Sequence, residues 1–559
     1  MKIKLIVLLA FCNFCVFGQN ELKSILYQIP GSTDYCQIIM YGQSLSIGYE
    51  TIFAITSDPL PDCYMLGSSV HPTSTLSNDN TLKSLINSGS EDPTVSLTNA
   101  FSYLFKQKNP NVKFIGTSCG KAGYTVAELS RSDRYPDVSG SHPFEYGFKS
   151  SMQRIKELCD MEGKTVSCSA IIWMQGEADY YGDSLSAKKP CSGDKYLYKK
   201  RLLQLKNDMQ DCCKEIYGQE NVPLFFMSNI GGSYISNRYL TINMAQKELA
   251  EENLDMILMN PHYAVPHYAG AHLSENGYRM YGEMMAKHLW KVFGEEEYYK
   301  PVYPERFSVE KNIMTIDFYS PSKSLTFDTL TLSEINNYGF RVWMNDNIQE
   351  ILNVQIKDTS VILTTKNDLL GTIDISYGGY NATYKEKGFG NLRDEDHWES
   401  YYTYWDDTYD AGGIMGSYWK EDVNPEDTTS YQQYRSDSTY KEGSKVWTYK
   451  PYFGKKHYCT CMIDAPSSSP FKPIYWRPKD ENGHIIIGKK YPIFNWCINF
   501  YQKLEIISNT IYSTEKNKSV IGEDFYNVSG TKVIKPTKGF FIKVIHYSDF
   551  SFETQKVVF

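Results

Sequence analysis

Three segments of this chain, far apart in sequence, hold side chains that together could cleave an ester. Tyr41-Gly42-Gln43-Ser44-Leu45-Ser46-Ile47-Gly48 offers a hydroxyl in a tight turn behind an apolar run. Trp173-Met174-Gln175-Gly176-Glu177-Ala178-Asp179 offers an amide, and His272-Leu273-Ser274-Glu275-Asn276-Gly277-Tyr278 offers an imidazole at the mouth of a helix. A serine hydroxyl is hardly ionised at neutral pH and becomes a nucleophile only beside a base, so Ser44 needs a partner such as His272. The oxyanion formed on attack needs donors already aimed at it, one of which is typically worth about 3 kcal/mol. The backbone N–H groups of Ser44 and Gly123 and the side-chain amide of Gln175 are the candidates.

The elements that must position these groups are legible in the hydropathy pattern. Short apolar runs at 37–41, 112–117, 168–173, 224–228 and 254–259 read as buried strands. Amphipathic stretches at 97–106, 144–159, 195–217, 240–252 and 275–292 read as helices, with Ser274 as the N-cap of the last. Alternation of this kind predicts an α/β domain, a five-stranded parallel sheet flanked by helices, with its ligand site beyond the carboxyl ends of the strands. Ser44, Gly123, Gln175, Asn229 and His272 follow the five runs in turn, so all five fall at the same edge.

On these residues the chain resembles the SGNH hydrolase superfamily, and within it the carbohydrate acetylesterases related to sialate O-acetylesterases. The likeness spans roughly residues 35–293 and lies in Gly42-Gln43-Ser44, Trp173 through Asp179 and His272 through Tyr278, with a looser match in Ala122-Gly123-Tyr124-Thr125. The resemblance implies an SGNH or flavodoxin-like fold, a serine nucleophile, a histidine base, an acetylated oligo- or polysaccharide substrate, and no cofactor or metal. Family members carry an aspartate three residues before the histidine, where this chain has Ala269. Three outcomes are open: a backbone carbonyl turned to the ring, a carboxylate from elsewhere such as Glu177 or Asp179, or no orienter and a crippled enzyme; the expectation is a Ser-His dyad with a surrogate orienter.

Composition narrows the setting. A net charge of −8 over 559 residues, with no long Lys/Arg block, argues against nucleic acid as a partner. Met1-Lys2-Ile3-Lys4, the apolar run 5–17 and the small Gly18 have the form of a secretory signal peptide, and no later stretch is long and apolar enough to span a membrane. The expectation is an exported protein, periplasmic, at the cell surface or extracellular. Of 13 cysteines, Cys12 and Cys15 fall in the signal, and the spacing of the others matches no zinc site. His262 and His267, in a repeated Pro-His-Tyr-Ala, lack an acidic or cysteine partner nearby and read as loop histidines.

The second half reads as β-rich. Glu295 to Pro304 has the charge and proline of a linker, and alternating runs at 313–319, 351–356, 361–365 and 372–377 suggest a sandwich. The expected organisation is a signal peptide over 1–18, a hydrolase domain over 22–297, a β-sandwich domain over 305–385, an aromatic-rich β region over 386–515, and a C-terminal β module over 520–559. The last resembles the C-terminal sorting modules of exported Bacteroidetes proteins. Trp398, Trp405, Trp419, Trp447, Trp476 and Trp496 crowd the aromatic region and could stack on sugars or fill a core. The expected function is that of an exported carbohydrate O-acetylesterase. The alternative is a catalytically weak SGNH-fold glycan-binding protein, which the alanine at position 269 and the aromatic second half would suit.

Overall fold

A computed structural model describes residues 25–51, 54–72, 81–136, 138, 140–180, 193–235, 237–268, 272–332, 334–379, 387–404, 419–422, 425–435, 437–450, 455–461, 489–506, 512–513, 520–527, 532–533, 540–547 and 552–558. The signal-like segment, Ala269, Cys191, Trp405 and Trp476 lie outside these.

The first half is built on one sheet of seven strands: β1 (Tyr35–Gly42), β2 (Cys63–Leu66), β3 (Leu82–Ser84), β4 (Lys113–Ser118), β5 (Val166–Met174), β6 (Leu224–Asn229) and β7 (Met256–Pro261). Their order is β3-β2-β4-β1-β5-β6-β7. All neighbours are parallel except β2 and β3, which pair antiparallel. The expected five-stranded parallel sheet is therefore corrected to a mixed sheet of seven. Of the two extra strands, Cys63–Leu66 is apolar and largely buried but only four residues long, and Leu82–Ser84 is a three-residue edge strand with two polar residues, so neither makes an apolar run long enough to stand out. The five expected strands stand second-first-third-fourth-fifth, the order of flavodoxin-type sheets, which puts a switch point beside β1.

Among the described residues six α-helices accompany the sheet: α1 (Pro93–Phe105), α2 (Ser150–Met161), the single turn α3 (Glu177–Tyr180), α4 (Lys195–Tyr217), α5 (Thr241–Glu252) and α6 (Glu275–Leu289). They fall into two packed groups, α1 on α6, and α4 on α2 and α5. Every residue of β1 and β5 is buried, as expected of central strands covered on both faces. Caps set the helix starts. Asp92 accepts from Thr94 N at 2.7 Å with Pro93 in the first turn, and Ser274 accepts from Gly277 N at 3.1 Å.

Beyond residue 300 the chain forms mainly antiparallel sheets. One has five strands in the order 351–357, 360–365, 313–319, 303–310 and 512–513; another has four, 347–348, 340–344, 371–377 and 500–506. Phe307 and Phe318 of the first meet Phe500 of the second. A four-stranded sheet is also formed by 520–527, 532–533, 540–547 and 552–558. The buried apolar core runs without a break from the seven-stranded sheet to Ile506, while Tyr440, Val446, Cys459 and Cys461 make a small cluster apart. Polar contacts join the halves as well. Asn260 Oδ1 accepts from Trp496 N at 2.9 Å, Asn229 Oδ1 from Asn499 N at 3.0 Å, and the buried Lys287 pairs with Asp396 at 2.8 Å. Trp496 is core, and Lys287 and Lys291 lie over Trp398. No helix among the described residues is long and apolar enough to cross a membrane.

Candidate active site

Beyond the carboxyl end of β1 the chain turns into a short 3-10 helix, Ser44–Ile47, which presents the Ser44 hydroxyl at the sheet edge, only 5 % exposed. His272 reaches it from a two-stranded hairpin, His267–Tyr268 with His272–Leu273, that leads into α6. Ser44 Oγ lies 2.8 Å from His272 Nε2, and His272 Nδ1 lies 2.9 Å from Glu50 Oε2. A carboxylate can only accept, so the Nδ1 position carries the proton and the Nε2 lone pair faces the serine. Ser44 O–H then donates to Nε2. The His272 hydrogen bond holds the Glu50 carboxyl below its ordinary range, against a partial desolvation penalty.

Glu50 is the residue that sequence reasoning missed. The carboxylate on His272 is neither Glu177 nor Asp179, and this corrects the expected orienter. Glu177 Oε1 lies 3.3 Å from His262 Nε2, in a buried pair behind the site. Asp179 accepts from Gln175 Nε2 at 2.6 Å and from Val126 N at 2.9 Å. Asp179 is thus held by other partners, and Glu177 faces His262 rather than His272. The signal for Glu50 was in plain view, since it is the sole acidic residue between Ser44 and Asp58.

The segment that carries both Ser44 and Glu50 is pinned along its length. Gly48, at φ 63°, closes the short helix, and a Cβ there would lie 1.9 Å from the Glu91 carbonyl oxygen, so only glycine allows the approach. Glu50 itself takes a left-handed φ of 71°. The buried Glu91 carboxylate accepts from Ile55 N at 2.8 Å, Thr56 N at 2.9 Å and the Thr56 hydroxyl. Arg279 of α6 adds bonds to Thr56 Oγ1 at 3.0 Å and to the Ile55 carbonyl. The helix that follows His272 therefore grips the loop that follows Ser44. Gln43 ties the same segment to the end of β5, its Oε1 accepting from Ala178 N at 2.9 Å.

Of the expected oxyanion donors, the Ser44 and Gly123 backbones belong to adjoining turns, because Lys121 N donates to the Gly42 carbonyl at 2.9 Å and Tyr124 N to Lys121 O at 3.3 Å. Gln175 serves differently from the expectation. Its Nε2 donates to Asp179 and, at 3.3 Å, to the Tyr124 carbonyl, while its Oε1 accepts from Tyr198 O–H at 3.1 Å. Both amide hydrogens are engaged in holding the Tyr124–Val126 turn, so the side chain has no donor left for an oxyanion.

Two aromatic rings flank His272. Tyr49, 47 % exposed, lies with its ring centre 5.2 Å away, and Tyr234 lies at 5.9 Å. The Tyr234 hydroxyl is 3.2 Å from His272 Nε2, the atom that faces Ser44. His262 and His267, expected as loop histidines, are buried in a short 3-10 turn and a two-residue strand, with ring centres 6.0 Å apart. Among the described residues no group of three or more His, Cys, Asp or Glu side chains could hold a metal ion. The ten described cysteines after residue 25 are all buried free thiols.

No family model matches the chain, and no curated protein does. Among solved structures, similarity is found to a carbohydrate acetylesterase from Xanthomonas citri, at 12% identity and a TM-score of 0.42 over 64% of this chain and 77% of that one. NanS is similar at 13% identity and 0.32 over 47% and 99%. An acetylxylan esterase from Geobacillus stearothermophilus is similar at 13% and 0.24 over 48% and 96%. Likeness at this level is too distant to assign a role to any residue, and the chemistry of this chain is read from the atoms around Ser44 and His272.

Proposed function

We propose that this protein hydrolyses O-acetyl esters on glycans, with Ser44 as nucleophile, His272 as general base and then general acid, and Glu50 as the carboxylate that orients the ring. The observation that carries this reading is the unbroken line of contacts Ser44–His272–Glu50, at 2.8 and 2.9 Å. Attack by Ser44 Oγ on the acetyl carbonyl passes its proton to His272 Nε2. The oxyanion is met by the Ser44 and Gly123 N–H groups, and collapse of the tetrahedral adduct returns the proton to the departing sugar oxygen. Water then repeats the sequence on the acetyl-serine. Glu50 steadies the imidazolium in both halves. A sugar is favoured as the alcohol because the half-exposed Tyr49 ring beside His272 offers an apolar face of the kind on which pyranose rings stack, and because the motifs resemble those of carbohydrate acetylesterases. Export follows from the signal-like first 18 residues and belongs to the same proposal.

The test compares purified protein with Ser44→Ala on an aryl acetate and on acetylated xylan, with acetate measured directly. The proposal expects acetate release to fall by a factor on the order of 10³ or more in the variant. Equal release by both proteins, with retention of both on a glycan column, would favour the binding-module alternative.

A further inference from the structure

We infer that Tyr234 is a catalytic residue for the leaving-group step, its hydroxyl donating a hydrogen bond to the sugar oxygen as the ester C–O bond breaks. The inference rests on the hydrolase reading above. Its starting point is that two hydroxyls face one nitrogen: Ser44 Oγ at 2.8 Å and the Tyr234 hydroxyl at 3.2 Å from His272 Nε2. With Nδ1 committed to Glu50, Nε2 has a single lone pair, and the shorter contact gives it to Ser44. In the resting site the tyrosine is therefore not the principal partner of Nε2. A role for it emerges when the serine proton has moved to that nitrogen. An oxygen about to receive the proton must itself come within about 3 Å of Nε2. The leaving oxygen and the Tyr234 hydroxyl then share one neighbourhood.

The chemistry balances without another reactant. The Ser44 O–C bond has formed, the bond from the acetyl carbon to the sugar oxygen breaks with its electron pair going to that oxygen, and the proton passes from Nε2 to the same atom. Tyr234 keeps its own proton and shares it by hydrogen bond with the charge that builds on the leaving oxygen. A sugar hydroxyl is a far weaker acid than an activated phenol, so its alkoxide needs this help most.

The placement is built rather than incidental. Tyr234 ends a short 3-10 turn, Gly232–Tyr234, directly beyond β6. Gly231 N donates to His262 Nε2 at 3.2 Å and Gly232 N donates to the Gly388 carbonyl at 3.0 Å. Gly388 stands at φ 81°, and a Cβ on it would lie 2.0 Å from the Gly232 oxygen. A residue from the β-rich second half thereby fixes the turn on which Tyr234 sits. This gives that half a part in the reaction that no glycan contact would require.

The experiment measures kcat/KM for full-length wild type, Tyr234→Phe and Ser44→Ala on a series of acetates whose alcohols run from 4-nitrophenol to an unactivated methyl glycoside. The expected result is a fall of roughly 10²-fold on the glycoside acetate in Tyr234→Phe, with a smaller fall on the aryl ester. The ratio of the two rates should drop by at least about tenfold, and the dependence of rate on leaving-group acidity should steepen. A uniform loss across the series would mark a merely structural role and overturn the inference, as would no loss at all. If Tyr234→Phe is poorly folded by circular dichroism, the wild-type series decides: a shallow dependence on leaving-group acidity supports leaving-group assistance, and a steep one overturns it. Acetate release that persists in Ser44→Ala would overturn the hydrolase reading and this inference together, whereas a uniform loss in Tyr234→Phe with Ser44 dependence intact removes only the latter.

Discussion

At the scale of single residues, the nucleophile and its orienting acid come from one short stretch of chain. Ser44 and Glu50 flank a single helical turn, and His272 enters between them from a hairpin far along the sequence. The Glu50 side chain is 42 % exposed, so the worth of its contact with His272 lies in fixing the tautomer more than in attraction between charges. Glu50→Gln keeps the shape and the exposure but allows an amide to donate to Nδ1, which would place the imidazole proton on the nitrogen facing Ser44. The expected consequence is a loss in kcat on the order of 10²–10⁴-fold with little change in KM, and partial recovery in Glu50→Asp. Steady-state kinetics on an aryl acetate checks this. A variant within about twofold of wild type would mean that some other group orients the ring.

At the scale of elements, the parts that the sequence announces are those whose burial is two-sided or whose ends are capped. The fully buried runs of β1 and β5 and the long helix Lys195–Tyr217 follow from apolar periodicity alone. The strands Cys63–Leu66 and Leu82–Ser84 do not, because four and three residues are too few to show a period and draw their pairing from the neighbouring backbone. The same limit hid Glu50. Its position depends on a left-handed turn at Gly48 and on the grip of Glu91 and Arg279 upon Ile55 and Thr56, all of it tertiary. Gln175 shows the converse: its motif is plain in sequence, yet its hydrogen-bond partners, Asp179, Tyr124 and Tyr198, are what decide that it braces a turn. Motifs name the residues, and packing assigns their partners.

At the scale of the whole molecule, a continuous core with buried histidines makes stability depend on pH. Burial pushes His267 and His288 down from 6.5 to about 3, so the folded chain keeps both rings neutral where the unfolded chain would protonate them. The unfolded state therefore binds more protons between those values, and stability falls as the pH drops from about 6.5 toward 3, by up to about 1.4 kcal/mol per pH unit for each ring. Glu91, raised by burial, works in the opposite sense and offsets part of this. Thermal melts at pH 7, 6, 5 and 4 should show a falling Tm, less steep in His267→Leu, which removes one of the two rings. A Tm that holds steady from pH 7 to 4 would contradict the prediction. The central claim, that Ser44 is an activated nucleophile, is tested most directly by the intact mass of the full chain after reaction with an activated dialkyl phosphate. One phosphoryl adduct per chain, mapped to the Ser44 peptide and missing in both Ser44→Ala and His272→Ala, is the predicted result. No adduct, or one that forms equally well in Ser44→Ala, would contradict it.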